Sequence, residues 1–153
     1  MSDSNATPST AFRFECTAAF LLLRLFLGLR TFLAGLQKFE AQGHYSFANY
    51  ATNMNRMADY ITTNSFVKLW MSRGFAHSLG YLMIVFGAML LLGIKTRIAL
   101  FLSGLLYVGL AFGLMAVQED DGIAWVGVYV GLFAAALVLV RHDRLALWRD
   151  RIS

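Results

Sequence analysis

Apolar and polar stretches alternate along the chain. Residues 17–36, 75–94, 98–117 and 123–140 are almost wholly apolar, and the segments between them are polar. A helix rises about 1.5 Å per residue, so ~20 apolar residues cross the hydrocarbon core of a bilayer. Each run therefore predicts a membrane-spanning helix. None of the four contains Asp or Glu, and the one proline, Pro8, precedes the first, so the spans are expected to lack proline kinks. The first run is no cleavable signal peptide: it carries two arginines, lacks a clear small-residue cleavage site and leads into a polar amphipathic segment.

That segment has its own period. Phe47, Tyr50, Ala51, Met54, Met57, Ala58 and Ile61 recur at helical spacing, and Asn49, Thr52, Asn53, Asn55, Arg56 and Asp59 fill the other face. The pattern predicts an amphipathic helix lying on the outer membrane surface or capping the bundle, as a structural lid or as a gate over a lipid-side pocket. Phe66, Leu69, Trp70 and Met71 return the chain to the membrane, with Trp70 as interfacial anchor. The expected fold is all-α: an integral membrane four-helix bundle with an amphipathic helix in the first outer loop. Residues 1–12 read as a disordered tail, 13–141 as the membrane domain and 142–153 as a basic cytoplasmic tail. Residues 141–151 have the look of a short interfacial helix.

Composition agrees. The 153 residues are 58% hydrophobic and 14% charged, against about 25% charged in soluble domains. The net charge of +4 gives no continuous basic patch, which excludes nucleic acid as the partner. The basic residues punctuate the ends of the runs instead. Arg13, Lys95, Arg97, Arg141, Arg144, Arg149 and Arg151 fall on one side, and Lys38, Arg56, Lys68 and Arg73 on the other, with the acidic turn Glu119-Asp120-Asp121. This bias predicts a multi-pass protein of the plasma (inner) membrane with both termini in the cytoplasm. The lone Cys16 excludes an internal disulfide or a CxxC motif and reads as a small apolar residue.

Small residues recur at packing intervals: Gly80 and Gly87, Gly109 and Gly113, Gly127 and Gly131. Such spacing lets helix backbones approach closely in lipid. The expectation is packing within this chain, with contact to a second copy or a partner as the alternative.

Charge inside the first run is the sharpest clue to chemistry, because a buried charge is costly in a membrane. Arg24, Gly28, Thr31, Gly35 and Lys38 form one helical stripe, expected to face the bundle interior; Arg30, Ala34 and Gln37 form a second. Helical side chains lean toward the helix N-terminus, so Arg24 is expected to snorkel to the cytoplasmic surface. Arg30 leans toward the bilayer middle. Its candidate partners are the hydroxyls of Tyr81, Tyr107 and Tyr129, backbone carbonyls, a ligand anion, a lipid phosphate or a partner subunit's carboxylate. Arg73 and His77, with His44, are placed near the outer ends of the spans, where anion binding or protonation is the functional alternative to a satisfied polar residue. No His, Cys, Asp or Glu group has metal-ligand spacing, and the three dispersed histidines do not suit a haem. No nucleophile elbow, phosphate loop or carboxylate pair is present.

The first span carries Arg24, Gly28, Gly35, Lys38 and Phe39 in order before a long loop. The second ends on Gly87 and Gly93 and passes through Ile94-Lys95-Thr96-Arg97 directly into the third. In order, length and topology this resembles the DoxX/DoxD-like family of small four-helix membrane proteins, over roughly residues 20–140. The resemblance implies a membrane-embedded redox accessory. The DoxD-like branch is linked to thiosulfate:quinone oxidoreductase, so the expected activity is passing electrons from a sulfur compound such as thiosulfate to a membrane quinone. Quinone would be the co-substrate, with the lipid bilayer and other membrane or periplasmic subunits as partners. Arg24 and Lys38 match the family's basic positions and would orient an oxyanion or quinone carbonyl; charge and position add Arg30, Arg73 and His77. The competing reading is a non-catalytic assembly or anchoring subunit of a larger complex; a small transporter is a third, with no inverted repeat to support it. One departure bears on both of the first two. The family pattern places a Glu one turn before the glycine matching Gly87; here that residue is Met83, which puts a proton-coupled role there in doubt.

Overall fold

The structure, a computed structural model, describes residues 8–142. Residues 1–7 of the expected tail and nearly all of the expected C-terminal tail lie outside the described residues.

α1 (Pro8–Gln37) begins on a proline. Proline suits the first position of a helix, where its fixed φ is already helical and its missing N–H has no partner to lose. Residues 8–12, expected in the tail, are therefore helical. The chain then turns through β1 (Glu40–Ala41) and β2 (His44–Tyr45), an antiparallel pair with Glu40 opposite Tyr45 and Ala41 opposite His44. The two connecting residues, Gln42 and Gly43, have φ of 53° and 80°. Two successive positive φ values define the tight turn whose twist matches that of the flanking strands. Helical and apolar spacing does not predict this hairpin; its local signal is Gln42-Gly43.

Ser46 caps α2 (Phe47–Asn64), its Oγ accepting the Asn49 N–H at 3.1 Å. The expected amphipathic helix is present, with Tyr50, Met54, Ala58 and Ile61 buried and Phe47 left exposed at its edge. Its apolar face rests on protein, chiefly α3, so it caps the bundle. α3 (Leu69–Leu92), α4 (Thr96–Ala116) and α5 (Asp120–Leu139) follow, then a 3-10 turn at Val140–His142. α3 starts six residues before the apolar run, so Trp70 sits exposed in its first turn. Gly93 ends α3 in the left-handed conformation; its N–H reaches Leu90 O and the Ile94 N–H reaches Met89 O at 2.9 Å, the doubled cap that glycine makes readily.

Among the described residues, four helices are long and apolar enough to cross a membrane: Phe14–Gln37 within α1, α3, α4 and α5. The tightest seam is between α1 and α3. A Cβ added to Gly87 would stand 2.5 Å from the Phe32 nitrogen, and one added to Gly35 would stand 2.9 Å from the Ile84 nitrogen. Only glycine allows backbones this close. Gly80 is filled from outside the bundle by the Tyr50 ring. Gly127 and Gly131 differ: a Cβ added to either would meet nothing within 4 Å among the described residues, so the packing expected of this pair within the chain is not found there. α5 is held by α4 on one side and leaves these glycines open on another.

Candidate functional site

The first helix distributes its polar residues by face. Arg24, Gly28, Thr31 and Gly35 are buried, as expected of an inward stripe, and Lys38 at its end is half-buried. Arg24 is 4% exposed and engaged within the structure. The expectation that it snorkels to a surface is thus corrected: its side chain stays in the interior of the bundle.

Arg30 points from the second stripe toward α5. Its Nε donates to the Tyr129 hydroxyl at 3.0 Å, and its guanidinium carbon lies 5.2 Å from the centre of the Tyr129 ring. Of the three tyrosines proposed by position, the structure selects Tyr129. Tyr107 stands beside it, ring centres 5.6 Å apart, and is backed by Phe133 at 5.2 Å. Tyr81 instead joins Phe39 and Tyr50 at 5.5 and 4.9 Å.

Arg30 and Lys38 share a cleft of about 540 Å³. α1 supplies the two cations, α2 roofs it with Asn53, Met54 and Met57, and α3 contributes Met83. α4 and α5 close it with Tyr107, Tyr129 and Trp125. Among the described residues, no carboxylate lines it. Met83 is buried and lines the same cleft as the two cations, at the position where the resemblance implies a carboxylate. Asn53 ties the roof to the end of α1, its Nδ2 donating to the carbonyls of Lys38 and Glu40 at 3.2 and 3.1 Å. Burial, then the nearby Arg30 charge, holds the Lys38 ammonium below the ordinary lysine pKa. A volume of this size, mostly apolar with a few convergent polar groups, suits a small organic ligand.

The remaining candidates stand elsewhere. Arg73 pairs with Asp59 at 3.6 Å, both side chains more than half exposed, an ion pair of small energetic weight. His77 Nε2 meets Asn55 Oδ1 at 3.0 Å. Both contacts join α3 to α2, and neither residue lines the cleft. His44 is exposed on the hairpin. The structure thus brings together Arg30 and Lys38, and leaves Arg24, Arg73 and His77 outside. The sequence reading did not single out Trp125, Met57 or Asn53 for the site. Their signal was weak: Asn53 and Met57 reach the end of α1 only because the hairpin turns α2 over it, and Trp125 comes from the start of α5.

Fold and cleft together define a small multi-pass membrane protein with a cationic, aromatic-walled recess beneath an amphipathic helix. The DoxX family model matches residues 19–118, and the chain belongs to the DoxX family. The match runs from α1 to the end of α4; α5, which brings Tyr129 and Trp125, lies beyond it. No curated protein and no solved structure matches the chain.

Proposed function

We propose that this protein is the membrane subunit of a redox complex and that its cleft holds the head group of a membrane quinone. That quinone receives electrons from a sulfur compound such as thiosulfate, whose chemistry a partner subunit carries. The observation behind this reading is the pairing of Arg30 and Lys38 in one aromatic-walled recess without a lining carboxylate. Quinone oxygens accept hydrogen bonds and gain negative charge on reduction, and fixed donors stabilise that charge best where water is scarce. Tyr107, Tyr129 and Trp125 provide flat apolar surface for the ring. Arg24, Arg73 and His77 serve the scaffold in this reading. Both termini are assigned to the cytoplasm, which puts the cleft near the opposite face; reporter fusions at each end test that.

The test is purification in mild detergent from native membranes, extraction and identification of bound quinone, and quinone reduction with thiosulfate as donor. Quinone that copurifies with the wild type and is lost with Arg30→Leu supports the proposal. No bound quinone and no reduction with native partners present would overturn it.

A second reading, a non-catalytic assembly subunit, is favoured by one observation. Gly127 and Gly131 lie open on α5 beside exposed Trp125 and Val128, a surface that would admit a helix of another subunit. It predicts that Gly127→Leu releases a partner on blue-native gels while bound quinone is unaffected. An unchanged complex would remove this reading.

A further inference from the structure

We infer that Lys38 is the proton-linked anion receptor of the cleft: it holds its proton when an anionic ring oxygen lies against it, while Arg30 is the permanently charged anchor. The cleft therefore prefers anionic over neutral ring ligands, and that preference fades as Lys38 titrates. This inference rests on the quinone reading of the same site.

The two cations are held differently. Arg30 is locked by Tyr129 from a neighbouring helix. Among the described residues, Lys38 is bonded through its backbone, its N–H to Gly35 O at 3.2 Å and its carbonyl to Asn53. It stands eight residues beyond Arg30, ~12 Å along the axis, just past the end of the span, half-buried and lining the cleft.

Around Lys38 each element offers little compensation. α1 offers the like charge of Arg30, and α2 and α3 offer only the neutral Asn53, Met54, Met57 and Met83. α4 and α5 line the cleft with the phenols of Tyr107 and Tyr129; the carboxylates of α5, Asp120 and Asp121 in its first turn, are not among the lining residues. On the hairpin, Glu40 turns its Oε1 back to the Gly43 N–H at 3.0 Å. Burial and Arg30 both oppose the ammonium. An anion between the two cations offsets both effects and favours the protonated amine, so anion binding and proton binding are linked. A guanidinium at the same place has no such linkage, because it does not titrate in this range.

The full chain in detergent is titrated with two probes, neutral naphthoquinone and the anion of a hydroxynaphthoquinone, between about pH 6 and pH 10, following quenching of tryptophan fluorescence. For the wild type, the anion's affinity falls by up to about tenfold per pH unit once pH passes the Lys38 pKa, while the neutral probe is unaffected. Lys38→Arg binds the anion with a flat profile. Lys38→Met binds it weakly at every pH, which guards against a fault peculiar to the arginine variant. A slope that persists in both variants, or that the neutral probe shares, overturns the inference. Should both probes bind with flat profiles, the inference fails and the quinone reading stands; should neither bind, both fall.

Discussion

The Tyr50 hydroxyl accepts the Gly80 N–H at 3.2 Å and donates to the His77 carbonyl, so a side chain of the roof helix bonds directly to the α3 backbone. The ring lies where a Cβ on residue 80 would stand, 2.5 Å from the nearest ring atom. Phe39 stacks on its far face at 4.3 Å, which ties the latch to the end of α1 beside Lys38. Gly80→Ala must therefore displace Tyr50 and loosen α2, at a cost of about 1–3 kcal/mol. Hydrogen exchange should rise through α2 and stay unchanged at the α1–α3 seam. Protection of α2 equal to the wild type would show that the latch does not hold the roof.

The same residue gives a pH dependence. Burial raises the Tyr50 phenol above the ordinary tyrosine pKa of 10.0, outweighing its backbone hydrogen bonds. The folded state thus keeps its proton where the unfolded state has lost it. This stability is complete below about pH 10 and is lost as pH rises through the higher folded-state value. Thermal melts in detergent should show that alkaline loss in the wild type and less of it in Tyr50→Phe, which starts about 1 kcal/mol weaker. Identical alkaline profiles for the two would exclude Tyr50 as the titrating group.

The glycines separate by location. Gly87→Leu places a side chain where the Phe32 backbone lies, and backbone cannot move aside as a flexible side chain can. Overpacking costs typically 1–3 kcal/mol, and this site belongs at the upper end or beyond. At Gly127 an added Cβ meets nothing within 4 Å among the described residues, so Gly127→Leu should leave the stability of the isolated protein within about 0.5 kcal/mol. Melting of both variants in one detergent checks the contrast; equal losses would mean that α5 is covered in the isolated protein too.

Much of this was legible before any coordinates. Period and length gave the four spans and the roof helix, because each buries a face whose spacing matches 3.6 residues per turn. The inward stripe from Arg24 to Lys38 was legible for the same reason. Three features were not. Helix starts at Pro8 and Leu69 precede the apolar runs, since a helix does not stop where the membrane does. The fate of Arg24 depends on three-dimensional surroundings that its depth in the span does not encode. The separation of Arg73 and His77 from Lys38 depends on the hairpin, which swings α2 over the bundle so that its polar edge meets both residues.

Met83→Glu is the sharpest test of the charge arrangement. The residue is 2% exposed and on the cleft wall, one turn before Gly87, and the wild-type cleft has two cations and no lining carboxylate. A carboxylate there finds Arg30 and Lys38 as partners, and charge-assisted pairing keeps it ionised despite burial. It also lifts the Lys38 pKa back toward the usual lysine range, because an opposite charge now offsets the repulsion from Arg30. The variant should fold. It should bind the hydroxynaphthoquinone anion at least about tenfold more weakly, since the site then carries its own counter-charge and the ligand adds a like charge beside it. Neutral naphthoquinone should lose less. A double substitution, Met83→Glu with Arg30→Leu, leaves one cation and one carboxylate and should not recover anion binding. If Met83→Glu binds the anion as tightly as the wild type, the two cations do not act on the ligand from this cleft.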